Sequence, residues 1–148
     1  LSCAVVDWTQ EEDLINGVNR AVDRVLRELP SVTAIFAFTD QLAAQIAAYL
    51  DGLGRMIPDD ISIIGYDNND FAKLLQPALT TIEEPVAALA EKIMELVVKN
   101  VDGDLPASEA LARPRLIERE SVRLITAHEV RMRSGESRPP VRVAAVLK

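Results

Sequence analysis

Three apolar runs in this chain each deliver an aspartate at their carboxyl end, and no other feature constrains the fold as strongly. They are Ala4-Val5-Val6-Asp7, Ala34-Ile35-Phe36-Ala37-Phe38-Thr39-Asp40 and Ile61-Ser62-Ile63-Ile64-Gly65-Tyr66-Asp67. Short β-branched runs bounded by turn residues fit buried strands. The segments between them have a helical period. Leu14, Ile15, Val18, Ala21, Val22, Val25, Leu26 and Leu29 recur at helix spacing until Pro30 stops the pattern. Ahead of them, Thr9 and Glu12 have capping-box spacing. An alanine-rich helix is predicted from Gln41 to Leu53, with Asp40 placed to cap its start and Gly54 suited to a left-handed C-cap.

The alternation continues downstream. Pro58-Asp59-Asp60 precedes the third strand, and a polar loop from Asn68 to Gln76 leads to an extended segment from Pro77 to Ile82. Pro85 suits the first turn of a helix whose apolar face is Val86, Leu89, Ile93, Met94, Leu96 and Val97, closed by Asp102-Gly103-Asp104. Arg115 to Ile125 alternates well enough for a last strand or two. The order β-α-β-α-β-loop-β-α-β predicts an α/β fold, a mainly parallel sheet with helices on both faces. Open sheets of this kind bind ligands outside the carboxyl ends of their strands, where Asp7, Asp40 and Asp67 would gather.

Composition narrows the class. A chain of 148 residues has room for one domain with a real core or for a piece of a larger one, and 49% hydrophobic content fits a globular fold. No apolar run approaches the ~20 residues of a membrane span, and no secretory leader opens the sequence, so a cytoplasmic location is expected. Leu1 in place of a methionine fits a chain cut from a longer protein. The single cysteine, Cys3, excludes an internal disulfide. Net charge is −7, but residues 128–148 carry +3, which leaves −10 on residues 1–127. An acidic body lacks the positive field that phosphate-backbone binding needs. The basic residues of 128–148 sit among Ser, Gly and Pro with no helical face, so that stretch is expected to be a flexible, solvated tail.

The chemistry of the strand ends stays open between three readings. There is one His, His128, and no P-loop, GxSxG or GxGxxG, so no metal, cofactor or catalytic residue is expected. Three acids could hold Mg²⁺ around a phosphoryl acceptor, but no lysine follows any of these strands to steady the phosphoryl oxygens. Asp40 could serve only as a cap. Between these lies a pocket in which acids and hydroxyls read the O–H groups of a small polar ligand, with Trp8 beside Asp7 stacking on its C–H face.

Four blocks in register carry a resemblance: TAIFAFTDQLA, GLGRMIPDDISIIGYDN, PALTTIEEP and PRLIERES, over residues 5 to 122. Their order and spacing resemble the effector-binding domain of the lactose/galactose repressor (LacI/GalR) family of bacterial transcription regulators. The resemblance implies a periplasmic-binding-protein-like lobe, a small sugar-like effector, action as a homodimer and no enzymatic activity. It implies effector contacts at Thr39, Asp40 and Asp67, with Trp8 near an aromatic wall. Residues 1–127 would be mainly the carboxyl-terminal lobe, and the helix over residues 86–100 would belong to the other lobe. The family's helix-turn-helix, hinge helix and first lobe, and the opening strand and helix of the second, have no counterpart in these 148 residues. DNA would therefore be read only through a missing N-terminal part, and the apolar face from Val86 to Val97 would lack its partner. A transport solute-binding protein, an aspartate-using phosphotransfer enzyme and a non-functional fragment of a truncated gene are the competing readings.

Overall fold

The computed structural model describes residues 2–7, 14–99, 113–124 and 142–147. In chain order the elements are β1 (Ser2–Asp7), α1 (Leu14–Glu28), β2 (Val32–Ala37), α2 (Asp40–Gly52), β3 (Ser62–Tyr66), a 3-10 turn (Asp70–Leu74), β4 (Thr80–Glu83), α3 (Val86–Lys99), β5 (Arg115–Ile117) and β6 (Arg142–Leu147). One six-stranded sheet runs β1-β6-β2-β3-β4-β5, parallel except for β5, which pairs antiparallel with β4. The predicted α/β architecture and element order hold. The Thr9–Glu12 capping box, Asp102-Gly103-Asp104 and Ile125 lie outside the described residues.

The core forms where the periodic faces meet. Val18, Val22 and Val25 of α1, Ile35 of β2, Ile46 and Leu50 of α2 and Ile63 of β3 are all fully buried. Each such aliphatic side chain contributes roughly 1.5–3 kcal/mol when removed from water. Tyr49 of α2 donates to Asp23 of α1 at 2.9 Å, which ties the two helices at their rim. The left-handed cap at Gly54 is present, with φ +71°, and Arg55 N–H returns to the Leu50 carbonyl at 2.9 Å.

Two expectations need correction, those for Arg115–Ile125 and for the tail. Helices α1 and α2 pack against each other and so share one face of the sheet. Successive strands β1, β2 and β3 advance across the sheet in one direction, and right-handed crossovers then put both helices on the same side. Arg115–Ile125 gives only the three-residue β5, because the chain then turns to bond with neighbouring elements. Ser121 accepts from Thr80 N–H at 2.8 Å and donates to the Ile63 carbonyl at 2.6 Å. Finally, the last part of the expected solvated tail is a strand: β6 lies inside the sheet, between β1 and β2. Residues 125–141 lie outside the described part.

Helix α3 keeps its apolar face uncovered. Among its described apolar side chains, Val86, Ile93, Met94, Val97 and Val98 are all at least half exposed and Leu89 is partly buried. Contiguous apolar surface of this kind drives association. The isolated chain is expected to sediment as species heavier than 16.2 kDa at raised concentration. The double substitution Ile93→Lys, Val97→Glu should return it towards the monomer. Monomeric sedimentation of the unaltered chain at every concentration would contradict this.

Candidate functional site

The carboxyl ends of β2, β3 and β4 meet at one edge, and the local sequence decides what each presents. After β2, Thr39 adopts extended backbone (φ −141°, ψ 159°) and its hydroxyl oxygen accepts from Leu42 N–H at 3.1 Å. Thr39, not Asp40, is therefore the N-cap of α2. Its O–H hydrogen remains available to a ligand, since capping uses only a lone pair. Asp40 is the first helical residue and turns inward, fully buried. Its carboxylate accepts from Asn69 N–H at 2.7 Å and from the Thr81 hydroxyl in a short bond. Both oxygens are taken, so the expectation that Asp40 reads a ligand directly is corrected. It ties the loop after β3 and the strand β4 to the start of α2.

Gly65 makes that possible. A Cβ there would sit 2.3 Å from Asp40 Oδ1 and 3.2 Å from Asp40 Cα. The carboxylate occupies the space that every other residue type would fill.

The loop after β3 is held in an unusual backbone conformation. Asp67 and Asn68 have positive φ, 105° and 53°, a conformation that is costly for residues other than glycine and clusters at ligand sites. Asp67 N–H donates to the Ile82 carbonyl at 2.9 Å. Asn68 N–H reaches Thr81 Oγ1 at 3.3 Å, its amide donates to Glu83 at 2.8 Å, and its carbonyl oxygen accepts from Arg119 at 2.6 Å. Arg119 also donates to the Leu79 carbonyl at 2.6 Å, while Arg115 donates to Glu83 at 2.7 Å. Asp40, Thr81, Asn68, Glu83 and Arg119 thus form one polar lattice beneath Asp67.

Asp67 itself is exposed, and its neighbours are acids. Burial, then the charges of Asp40 and Glu84, push its carboxyl above the ordinary range, partly offset by a hydrogen bond from Asn69. Beside it Tyr66 donates its hydroxyl to Glu84, and that bond, followed by burial and the acids' charge, raises the phenol. Glu83 is held below the ordinary range, first by Arg115 and then by Asn68. A carboxyl raised in the folded state favours folding below its ordinary pKa, and that contribution is lost as pH rises through the raised value. Asp67→Asn is therefore expected to stabilise the chain slightly at pH 7, the effect being kept small by the group's exposure. The gain should vanish near pH 3, a difference that urea unfolding at the two pH values measures.

Of the four expected site residues, Thr39 and Asp67 come to this edge facing outward and Asp40 comes to it buried. Trp8 lies outside the described residues, as does His128. Phe38 after β2 and Phe71 in the loop after β3, both partly exposed, put apolar rings at the same edge. Their only signal in the sequence is an aromatic within four residues of an acid at a strand end. The lattice residues Thr81, Glu83 and Arg119 were also missed, because their partners lie 15 to 51 residues away in sequence. Among the described residues no group of three or more His, Cys, Asp or Glu could hold a metal ion, and no helix is long and apolar enough to cross a membrane.

Comparisons with known proteins agree in kind. Residues 3–122 match the family model of the periplasmic binding protein-like domain. The chain is similar to the HTH-type transcriptional repressor PurR of Klebsiella pneumoniae subsp. pneumoniae, 36% identical over 104 residues, which cover 70% of this chain and 30% of that protein. Its fold is similar to the crystal structure of a LacI family transcriptional regulator from Arthrobacter sp. FB24 in complex with lactose, with 32% identity and a TM-score of 0.61. That match covers 76% of this chain and 42% of that one. Similar too is the transcription regulator GntR from Chromobacterium violaceum, with 29% identity and a TM-score of 0.61 over 74% of this chain and 41% of that one. The chain spans about a third of the length of the curated relatives it matches.

Proposed function

This chain belongs to the periplasmic binding protein-like family, as part of an effector-binding domain of the LacI/GalR type, and from that premise we propose that the carboxyl edge of its sheet is one half of a pocket for a small polyhydroxylated effector, a sugar. The observation that carries this is the Asp67 carboxylate. It is exposed at a strand end, fixed by left-handed backbone, and surrounded by acids rather than by cations of its own. Such a group gains most from a ligand that donates hydrogen bonds, and sugar hydroxyls do so. Thr39 has a free O–H to give in return, and Phe38 and Phe71 offer apolar faces to the ligand's C–H side. Trp8 is proposed as a further effector contact on the family resemblance alone. Asp40 acts as a positioning residue through Thr81 and Asn69. The Arthrobacter relative, solved with lactose, supports the ligand class.

The mechanism is a shift of populations, with no bond made or broken. An effector that binds one lobe arrangement more tightly than another moves the equilibrium by that difference in affinity. The uncovered face of α3 suits the role of joining this lobe to a second one. The proposed parent is a cytoplasmic, homodimeric regulator that reaches DNA through a helix-turn-helix outside these residues. Calorimetric titration with lactose and a panel of other mono- and disaccharides, with Asp67→Ala as the control, tests the effector half of this account. Saturable heat that the substitution weakens is expected, and heat indifferent to the substitution would refute the assignment of Asp67.

A further inference from the structure

We infer that the gap between β1 and β2 is a strand-acceptor site, and that Arg142–Leu147 is an exchangeable peptide ligand tethered to it. The strand order carries this. Along the chain, β1, α1 and β2 form one crossover unit, yet the two strands are not neighbours, and β6 stands between them parallel to both. Its register with β1 runs from Ser2↔Arg142 to Asp7↔Leu147. On its other side it runs from Val32↔Arg142 to Ala37↔Val146, with one irregularity between Val32 and Ala34. Among the described residues β6 is the only strand that pairs with β1. The last strand of the chain thus holds the first one in the sheet.

The order β1-β6-β2-β3-β4 matches the doubly wound pattern 2-1-3-4-5, in which the strand at this position comes first in the chain. Here the slot is filled from the other end. Residues 142–146 pair on both sides, so the hexapeptide is recognised by two backbone ladders rather than by its covalent neighbours. Added-strand recognition works in this way: main-chain hydrogen bonds give affinity, and alternate side chains give specificity. The sequence Arg-Val-Ala-Ala-Val-Leu suits the place. It is apolar at every position after Arg142 and contains no Pro or Gly, which a strand paired on both sides does not accommodate. The occupant is this chain's own C-terminal strand, held in cis here and available in trans from a second copy. This inference is independent of the effector site.

Hydrogen exchange on the full chain tests it. Ala144→Pro removes a ladder donor from the middle of β6 and adds a ring that a central strand does not accommodate. Amide protection across Ser2–Asp7 is expected to fall by at least about 100-fold, while β3 and β4 keep theirs to within a few-fold. A synthetic peptide of residues 140–148 added to this variant should restore protection of β1, and the same peptide carrying Ala144→Pro should not. Unchanged protection of β1 in the variant, or no recovery with the unaltered peptide, would overturn the inference. If Ala144→Pro unfolds the whole sheet, the unaltered chain is refolded from urea with excess fluorescein-labelled peptide. Retention of about one label per folded chain supports strand exchange, and no retention overturns it.

Discussion

Replacing Gly65 with alanine is expected to cost about 3–5 kcal/mol of folding stability. The new methyl would lie 2.3 Å from Asp40 Oδ1, and 3.2 Å from Asp40 Cα, which helix α2 holds in place. Leu79, at 3.0 Å, can give way by a change of rotamer, but the carboxylate can give way only by leaving its partners. Each hydrogen bond to a charged group contributes about 1.5–3 kcal/mol, and two would be lost, from Asn69 N–H and Thr81 O–H. Asp40→Ala should reach a similar loss by the opposite route, leaving the same two donors unpaired. Gly52 supplies the control. It ends α2 with nothing within 4 Å of an added Cβ, so Gly52→Ala should be stabilising by about 0.5–1 kcal/mol. Urea unfolding of the three variants reads all of this, and a Gly65→Ala loss no larger than about 1 kcal/mol would show that the carboxylate has room to move.

Asp67→Ala is expected to weaken effector binding by about 10–100-fold, the value of one or two hydrogen bonds from ligand hydroxyls to a carboxylate. The fold should survive it. Asp67 is exposed, and its side chain spans no pair of elements as that of Asp40 does. A loss in affinity with unfolding stability unchanged or slightly raised therefore distinguishes a ligand contact from a structural one. Arg119→Ala should behave differently. It frees Asn68 and the Leu79 carbonyl, so affinity and stability should fall together, by about 1–2 kcal/mol in stability.

How much of this was legible in the sequence follows the range of the interactions. Local patterns placed β1 to β4 and α1 to α3, because an apolar period of two or of 3.6 is written within a few residues. Gly54 was legible for the same reason. The role of Asp40 was not. Thr39 and Asp40 are both good caps, and what decides between them is a missing Cβ at Gly65, 25 positions downstream. The strand Arg142–Leu147 was hidden by context. Its run of Val and Ala follows a basic, Pro- and Ser-containing stretch whose composition is that of solvated chain. The exposed face of α3 was legible through family resemblance, since periodicity shows an apolar face but not whether anything covers it.

The measurement that bears most directly on the central claim is an NMR titration of the 148-residue chain with lactose and the other sugars, followed residue by residue. The account predicts saturable shifts for at least one sugar, gathered at Phe38, Thr39, Asp67, Asn68 and Glu84 and abolished by Asp67→Ala. Shifts that gather elsewhere, or that persist unchanged in Asp67→Ala, would contradict it.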